Sequence, residues 1–221
     1  MTAPAVHACG DTALLVEVAD LGQVLALLEA VADRREAGAL TGLVDVVPAA
    51  RTLLLVAEGP SRLPTLREQV RELVEEWRPP EPGAPIATHG PHVRIMVRYN
   101  GPDLDAVASL TGLSIAEVVR AHTGMAWTVG FGGFAPGFSY LVGGDPRLRV
   151  PRHEEPRTRV PAGAVGLAGA FSGIYPRPSP GGWQIIGQTD AVLWDVGREP
   201  PALLRPGGTV QFVDIDGEGM P

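Results

Sequence analysis

Between Arg78 and Pro91 five of fourteen residues are proline, and this stretch constrains the fold more than any other part of the chain. Each proline removes a backbone donor and drives its predecessor out of the helical region, so neither a helix nor a paired central strand runs through it. The stretch reads as an extended linker. Two units are therefore expected: residues 1–80, a proline-rich linker over 81–91, and residues 92–221. With 45% hydrophobic residues, both have material for a core.

In the first unit, residues 12–18 read as a strand. Asp20 with Gln23 three positions on marks a helix start. Leu21, Val24, Leu25, Leu28 and Val31 follow at helical spacing. Residues 43–47 and 52–56 read as strands joined by the short link 48–51. Leu63, Leu66, Val70, Leu73, Val74 and Trp77 make a second helical stripe. The order β-α-β-β-α, with room for a further strand, is a split βαβ, ferredoxin-like plan.

The second unit changes character. Residues 93–99 read as a strand. Asp103 and Ser114 look like helix N-caps, Ser114 with Glu117 as a capping box. After Met125 helical periodicity stops, and short apolar runs alternate with Gly and Pro clusters. That spacing suggests a compact β-barrel or sandwich carrying one or two helices. The chain as a whole is thus α+β.

Some chemistries are excluded by composition. There is no lysine; all 18 basic residues are arginine. A P-loop and a Schiff-base mechanism are both impossible in this chain. The net charge of −7 argues against nucleic acid as a partner. No run of 18 apolar residues predicts a membrane span, and residues 1–20 lack the features of a secretory signal. Cys9 is the only cysteine, which fits a cytoplasmic protein without disulfides. The five histidines show no metal-binding spacing, so no metal site is expected.

Three stretches are candidates for a site. Residues 130–140 hold four glycines and four aromatics, and Phe134, Pro136, Gly137 and Phe138 are suited to lining a pocket; a glycine-kinked barrel corner explains them equally well. Residues 147–159 hold five arginines, stiffened by prolines at 151 and 156. Arginine clusters bind carboxylates and phosphates in bidentate fashion, whereas a solvated loop paired with Glu154 and Glu155 is the bland reading. Residues 172–189 contain Tyr175, Ser179 at a Pro-Gly-Gly turn, and Trp183 opening an apolar run. Ser179 lacks the Gly-x-Ser-x-Gly frame of a nucleophile elbow, so a turn or a hydroxyl contact suits it better. His122, at the end of the helix after Ser114, either faces the helix dipole or serves as a general acid or base.

These stretches carry a resemblance. Glu117 to His122-Thr123, Gly133-Phe-Ala-Pro-Gly-Phe-Ser-Tyr-Leu141, Pro151-Arg152, Pro156-Arg157, Val160-Pro-Ala-Gly163, Gly173-Ile-Tyr-Pro176, Ser179-Pro-Gly-Gly-Trp183 and Leu203-Leu-Arg-Pro-Gly207 resemble one bacterial family. It contains the B subunit of 5-oxoprolinase, the sporulation-kinase inhibitor KipI and the first subunit of allophanate hydrolase. The resemblance implies a ferredoxin-like domain followed by a cyclophilin-like β-barrel. It implies partners too: the A subunit of 5-oxoprolinase and its homologous, KipA-like C subunit. Together these would open 5-oxo-L-proline to L-glutamate with ATP, bound by the complex and not through a P-loop here. Within that picture Arg152, Arg157 and Arg159 would bind the substrate, Tyr175 and Ser179 would orient it, and His122 would move protons. Two alternatives share the motifs: a KipI-like inhibitor of a sensor histidine kinase, and a component of allophanate hydrolase or of a carboxyltransferase. The chain departs from the family pattern at Ala164, where a serine is usual, and at Gln188, where an arginine is usual.

Overall fold

The computed structural model describes residues 4–217, and the chain divides between Ala87 and Thr88, inside the proline-rich stretch.

The first unit contains β1 (Ala5–Cys9), β2 (Ala13–Glu17), α1 (Leu21–Glu36), β3 (Leu43–Pro48), β4 (Thr52–Ala57) and α2 (Leu63–Glu76). The sheet order is β1-β2-β4-β3, antiparallel throughout. Alternation in β2 and β4 turns Leu14, Val16, Leu53 and Leu55 inward, against Val24, Leu27 and Val31 of α1 and Leu66, Val70 and Leu73 of α2. The fourth strand departs from the complete split plan. It comes from β1, a hairpin partner of β2, and not from a strand after α2. β1 is an edge strand with little buried surface, so it carries no apolar alternation for a sequence to display.

The start of α1 has a second job. Asp20 Oδ1 accepts the Gln23 N–H at 2.9 Å, and its other oxygen accepts the Gly83 N–H at 2.7 Å. Gln23 Nε2 donates to the Pro80 carbonyl at 2.8 Å. The cap thereby fastens the first part of the proline-rich stretch to the first unit.

The second unit contains β5 (His92–Val97), α3 (Leu104–Thr111), α4 (Ile115–Thr123), β6 (Trp127–Gly132), β7 (Ser139–Val142), β8 (Arg157–Val160), β9 (Ala164–Ala168), β10 (Phe171–Ile174), β11 (Ser179–Gly181), β12 (Gln184–Gln188) and β13 (Thr209–Asp214). Seven of its strands form a sheet in the order β12-β9-β10-β7-β6-β13-β5. Only the β13–β5 pair within it is parallel. The two edges meet at Arg98 and Gln188, which exchange backbone hydrogen bonds of 2.9 Å in both directions. The sheet is therefore a nearly closed barrel, which removes most of its exposed edge. β8 and β11 pair separately.

Alternation gives the barrel strands two different faces. Val165 and Leu167 of β9, Ile174 of β10 and Ile186 of β12 point into the main core, with Trp127, Phe212, Val107 and Val118. Ala164, Ala168 and Ile185 join Phe138, Tyr175 and Trp183 in a second, smaller cluster.

Candidate active site on the outer face of the barrel

The second cluster is built around aromatic rings laid on glycine. A Cβ at Gly173 would come within 3.0 Å of the Trp183 ring and 3.1 Å of the Phe138 ring. One at Gly181 would overlap the Tyr175 hydroxyl. The missing side chains are what let the rings sit down. Phe138 meets Trp183 and Tyr175 edge-to-face, both at centroid distances of 5.4 Å, and Tyr140 meets Trp183 at 5.7 Å. Phe134 reaches Phe138 and Tyr175 from the 133–138 turn, yet it is 59% exposed and holds φ at +67°. Non-glycine residues enter that region rarely. In the same turn Pro136 is exposed, and Gly137 lies so close to Trp194 that a Cβ there would sit 2.9 Å from it.

The arginines of the 147–159 segment behave differently from one another. Arg152 is exposed and carries its guanidinium 5.9 Å above the Trp183 ring. Its loop is strapped down by the His153 N–H to the Gly182 carbonyl (2.8 Å) and by Gln184 Nε2 to the Pro151 carbonyl (3.2 Å). Arg157 is half-buried. Nη2 donates to Asp103 Oδ1 at 2.5 Å, and Nη1 donates to the Trp183 carbonyl at 3.4 Å. Arg159 is exposed on β8. Burial raises the Tyr175 phenol; the Trp183 N–H and the charges of Arg152 and Arg157 oppose the rise without cancelling it. The structure thus brings Arg152, Arg157 and Phe134 to one patch, laid over the buried rings of Phe138, Tyr175 and Trp183. Ser179 is turned inward, donating its hydroxyl to the Arg177 carbonyl at 3.1 Å, in register with Val160.

His122 is not on this patch. It has no exposed surface and lies inside the barrel, stacked on Phe212 at 4.3 Å. The Tyr99 hydroxyl is 2.7 Å from Nδ1, and Ser172 Oγ is 2.8 Å from Nε2. A neutral imidazole satisfies both neighbours, donating to one and accepting from the other. Burial pushes its pKa down to about 3. The ring expected to move protons is thus a core group with both nitrogens hydrogen-bonded, apart from the outer patch.

Three hollows on this unit lie away from the patch. One of about 130 Å³ adjoins Trp127, Gly144 and Arg149, one of about 310 Å³ adjoins Arg94, Arg98 and Gln188, and one of about 340 Å³ adjoins Glu117, Arg120 and Arg147. Among the described residues no group of three or more His, Cys, Asp or Glu is placed to hold a metal ion, and no helix is long and apolar enough to cross a membrane.

Residues 4–204 match the family described as carboxyltransferase domain, subdomain C and D. The chain belongs to that family. It is 36% identical over 218 residues to a Bacillus subtilis (strain 168) protein named as the B subunit of 5-oxoprolinase, covering 93% of this chain and 90% of that protein. It is 38% identical over 177 residues to the protein of that name from Escherichia coli O157:H7, covering 79% of each. The crystal structure of TTHA0988 superposes with a TM-score of 0.74 at 38% identity, covering 95% of this chain and 41% of that one. The chain thus spans about two-fifths of that longer protein.

One residue of this carboxyltransferase-domain chain escaped sequence reasoning. Asp103 looks like a helix cap, but its side chain makes no capping bond to α3. It is nearly fully buried and takes Arg157 on Oδ1 and the Ile185 N–H on Oδ2 at 2.6 Å. His153 Nε2 lies 3.3 Å from Oδ2, off the line of a good hydrogen bond. Burial by itself would raise the Asp103 carboxyl; Arg157, the Ile185 N–H and His153 outweigh it and hold the group below the usual carboxylate range. The signal that could have found it is weak: a lone acid, far ahead of the arginine segment in the chain. Gln188, where the family pattern has arginine, sits at the barrel seam and not among the arginines of the patch.

Proposed function

We propose that this chain is the B subunit of a cytoplasmic, ATP-dependent 5-oxoprolinase and works with an A subunit and a homologous C subunit. The observation that carries the reading is the 36% identity over 218 residues to a protein of that name. The outer patch suits the substrate class. 5-Oxo-L-proline has a flat five-membered lactam and one carboxylate. The exposed Phe134 ring offers the lactam an apolar contact above the packed rings of Phe138, Tyr175 and Trp183, and the carboxylate fits the arginines beside it. Arg159 adds charge at the rim, and buried Tyr175 supports the Phe134 ring from below.

A lactam is a stable amide with a poor leaving group, which accounts for the need for ATP. Transfer of the γ-phosphoryl group to the carbonyl oxygen makes the ring carbon electrophilic. Water then adds, the C–N bond breaks to leave an acyl phosphate, and a second water displaces phosphate; ATP, 5-oxoproline and two waters become ADP, phosphate and glutamate. The part of this chain is to bind and orient, and to stabilise negative charge as it develops. With no lysine here, the nucleotide is held by other means, in the assembled complex. No proton-transfer role falls to His122 in this scheme, because of its burial.

The test is 5-oxoproline-dependent ATP hydrolysis by this chain alone and mixed with its cognate A and C subunits. Turnover only in the complete mixture is the expected result. An assembled complex that stays silent on 5-oxoproline would overturn the reading and turn attention to carboxyltransferase-type substrates or to kinase regulation.

A further inference from the structure

Asp103 stands at the meeting point of three segments. Arg157 arrives from β8, the Ile185 N–H from β12, and His153 from the strapped loop that also carries Arg152. It occupies the N-cap position of α3, but its side-chain oxygens do not bond the first N–H groups of that helix. A carboxylate taken out of water is stable only beside a cation and hydrogen-bond donors, and Asp103 has both. For Arg157 the consequence is directional. A guanidinium holds five donors in a rigid plane, so fixing Nη2 on a carboxylate and Nη1 on the Trp183 carbonyl fixes where the others point. About a third of the Arg157 side chain stays exposed, and its charge is felt at the Tyr175 phenol.

We propose that Asp103 is a positioning residue: it clamps one edge of Arg157 so that the remaining donors face an anionic ligand group, a carboxylate or phosphoryl oxygen, beside Tyr175 and Trp183. The ligand's identity rests on the 5-oxoprolinase reading; the clamp itself does not. The clamp also divides the arginine segment. Arg157 is charge-balanced and fixed, whereas Arg152, held only over a ring face, is free to adjust to the ligand.

The test has two arms. On the chain alone, the Arg157 side-chain Nε–H signal is followed by NMR. It is expected to be distinct in the wild type and averaged with the exposed arginines in Asp103→Asn; an averaged signal in the wild type overturns the clamp. In the assembled complex, Asp103→Asn keeps an acceptor for the Ile185 N–H and removes the charge. Its KM for 5-oxoproline is expected to rise about 10- to 100-fold with kcat changed less, as for a lost charge-assisted contact. The double variant with Arg157→Ala should be no worse than Arg157→Ala alone, and Asp103→Glu should recover part of the loss. Independent, additive effects would mean that Asp103 serves the fold only, and would overturn the proposal. If Asp103→Asn fails to fold, Arg157→Lys keeps the charge and loses the fork; an unchanged KM there overturns it equally. A wild-type complex inactive on 5-oxoproline would sink the functional reading and leave the NMR arm to decide the clamp.

Discussion

The second unit carries two polar systems, one inside its barrel and one outside it, and they are built to opposite rules. Inside, Tyr99, His122 and Ser172 form a short closed relay, neutral and without exposed surface at His122. Outside, Asp103, Arg157 and Arg152 are charged, and the outermost arginine makes only a ring contact. The interior system needs no ligand to be complete. The exterior one keeps donors unspent, which is what a binding surface requires and a core cannot tolerate. A histidine and a cluster of arginines look like equal candidates in the sequence, but burial separates them.

The largest effect should come from breaking the interior system. His122→Ala removes a ring packed on Phe212 and Trp127 and strands the Tyr99 and Ser172 hydroxyls. A loss of about 3–5 kcal/mol in unfolding free energy is expected, with activity per folded molecule retained. Equilibrium denaturation beside active-site-normalised rates would check it; a stable but inactive variant would return His122 to catalysis. Acid makes the same point without mutation. The unfolded histidine titrates near 6.5, whereas the folded one is pushed down to about 3. Between those values the unfolded chain binds a proton and the folded chain does not. The stability that neutral His122 confers is therefore complete above about pH 6.5 and falls as pH drops, by at most ~1.4 kcal/mol per pH unit. Denaturation midpoints between about pH 6.5 and about pH 4.5 should show this slope in the wild type and a shallower one in His122→Gln. Parallel slopes would place the proton-linked loss elsewhere.

Breaking the exterior system should touch function and spare the fold. Arg152→Ala removes an exposed guanidinium, so unfolding free energy should move by less than about 0.5 kcal/mol. If Arg152 meets the substrate anion, its loss should raise KM for 5-oxoproline about 10- to 100-fold in the assembled complex. Steady-state kinetics beside a melting curve tests both halves. A wild-type KM would remove Arg152 from the site and leave Arg159 as the exposed cation to examine.

What the sequence discloses follows the range of the interactions involved. The stripes of α1 and α2 and the alternation in β2 and β4 are local, and they read correctly as elements. β1 is invisible because an edge strand buries too little to impose a pattern. In the second unit, glycine and proline punctuation announces a barrel or a sandwich, and the choice between them depends on Arg98 meeting Gln188 from the far side of the unit. The aromatic and arginine motifs are legible as unusual chemistry, but their division of labour is not. Asp103 reads through its neighbours as a cap, although its partners lie 54 and 82 residues away. His122 reads by residue type as reactive, and its burial in the barrel core shows only in three dimensions.

The smallest expected effect gives the finest discrimination between the two faces. Phe134 holds a left-handed backbone at a cost of about 1–2 kcal/mol, and such strain persists only where its surroundings over-determine it. Glycine at this position relieves the strain, but it also loses the edge-to-face contacts with Phe138 and Tyr175 and adds freedom to the unfolded chain. These terms nearly cancel, so Phe134→Gly should shift stability by no more than about 1 kcal/mol. If the ring is held out in solvent for a ligand, the variant should keep its melting temperature and lose substrate affinity. If the ring merely covers Phe138 and Tyr175, stability should fall and KM should hold, and the turn would then belong with the packing of the outer cluster rather than with a binding site.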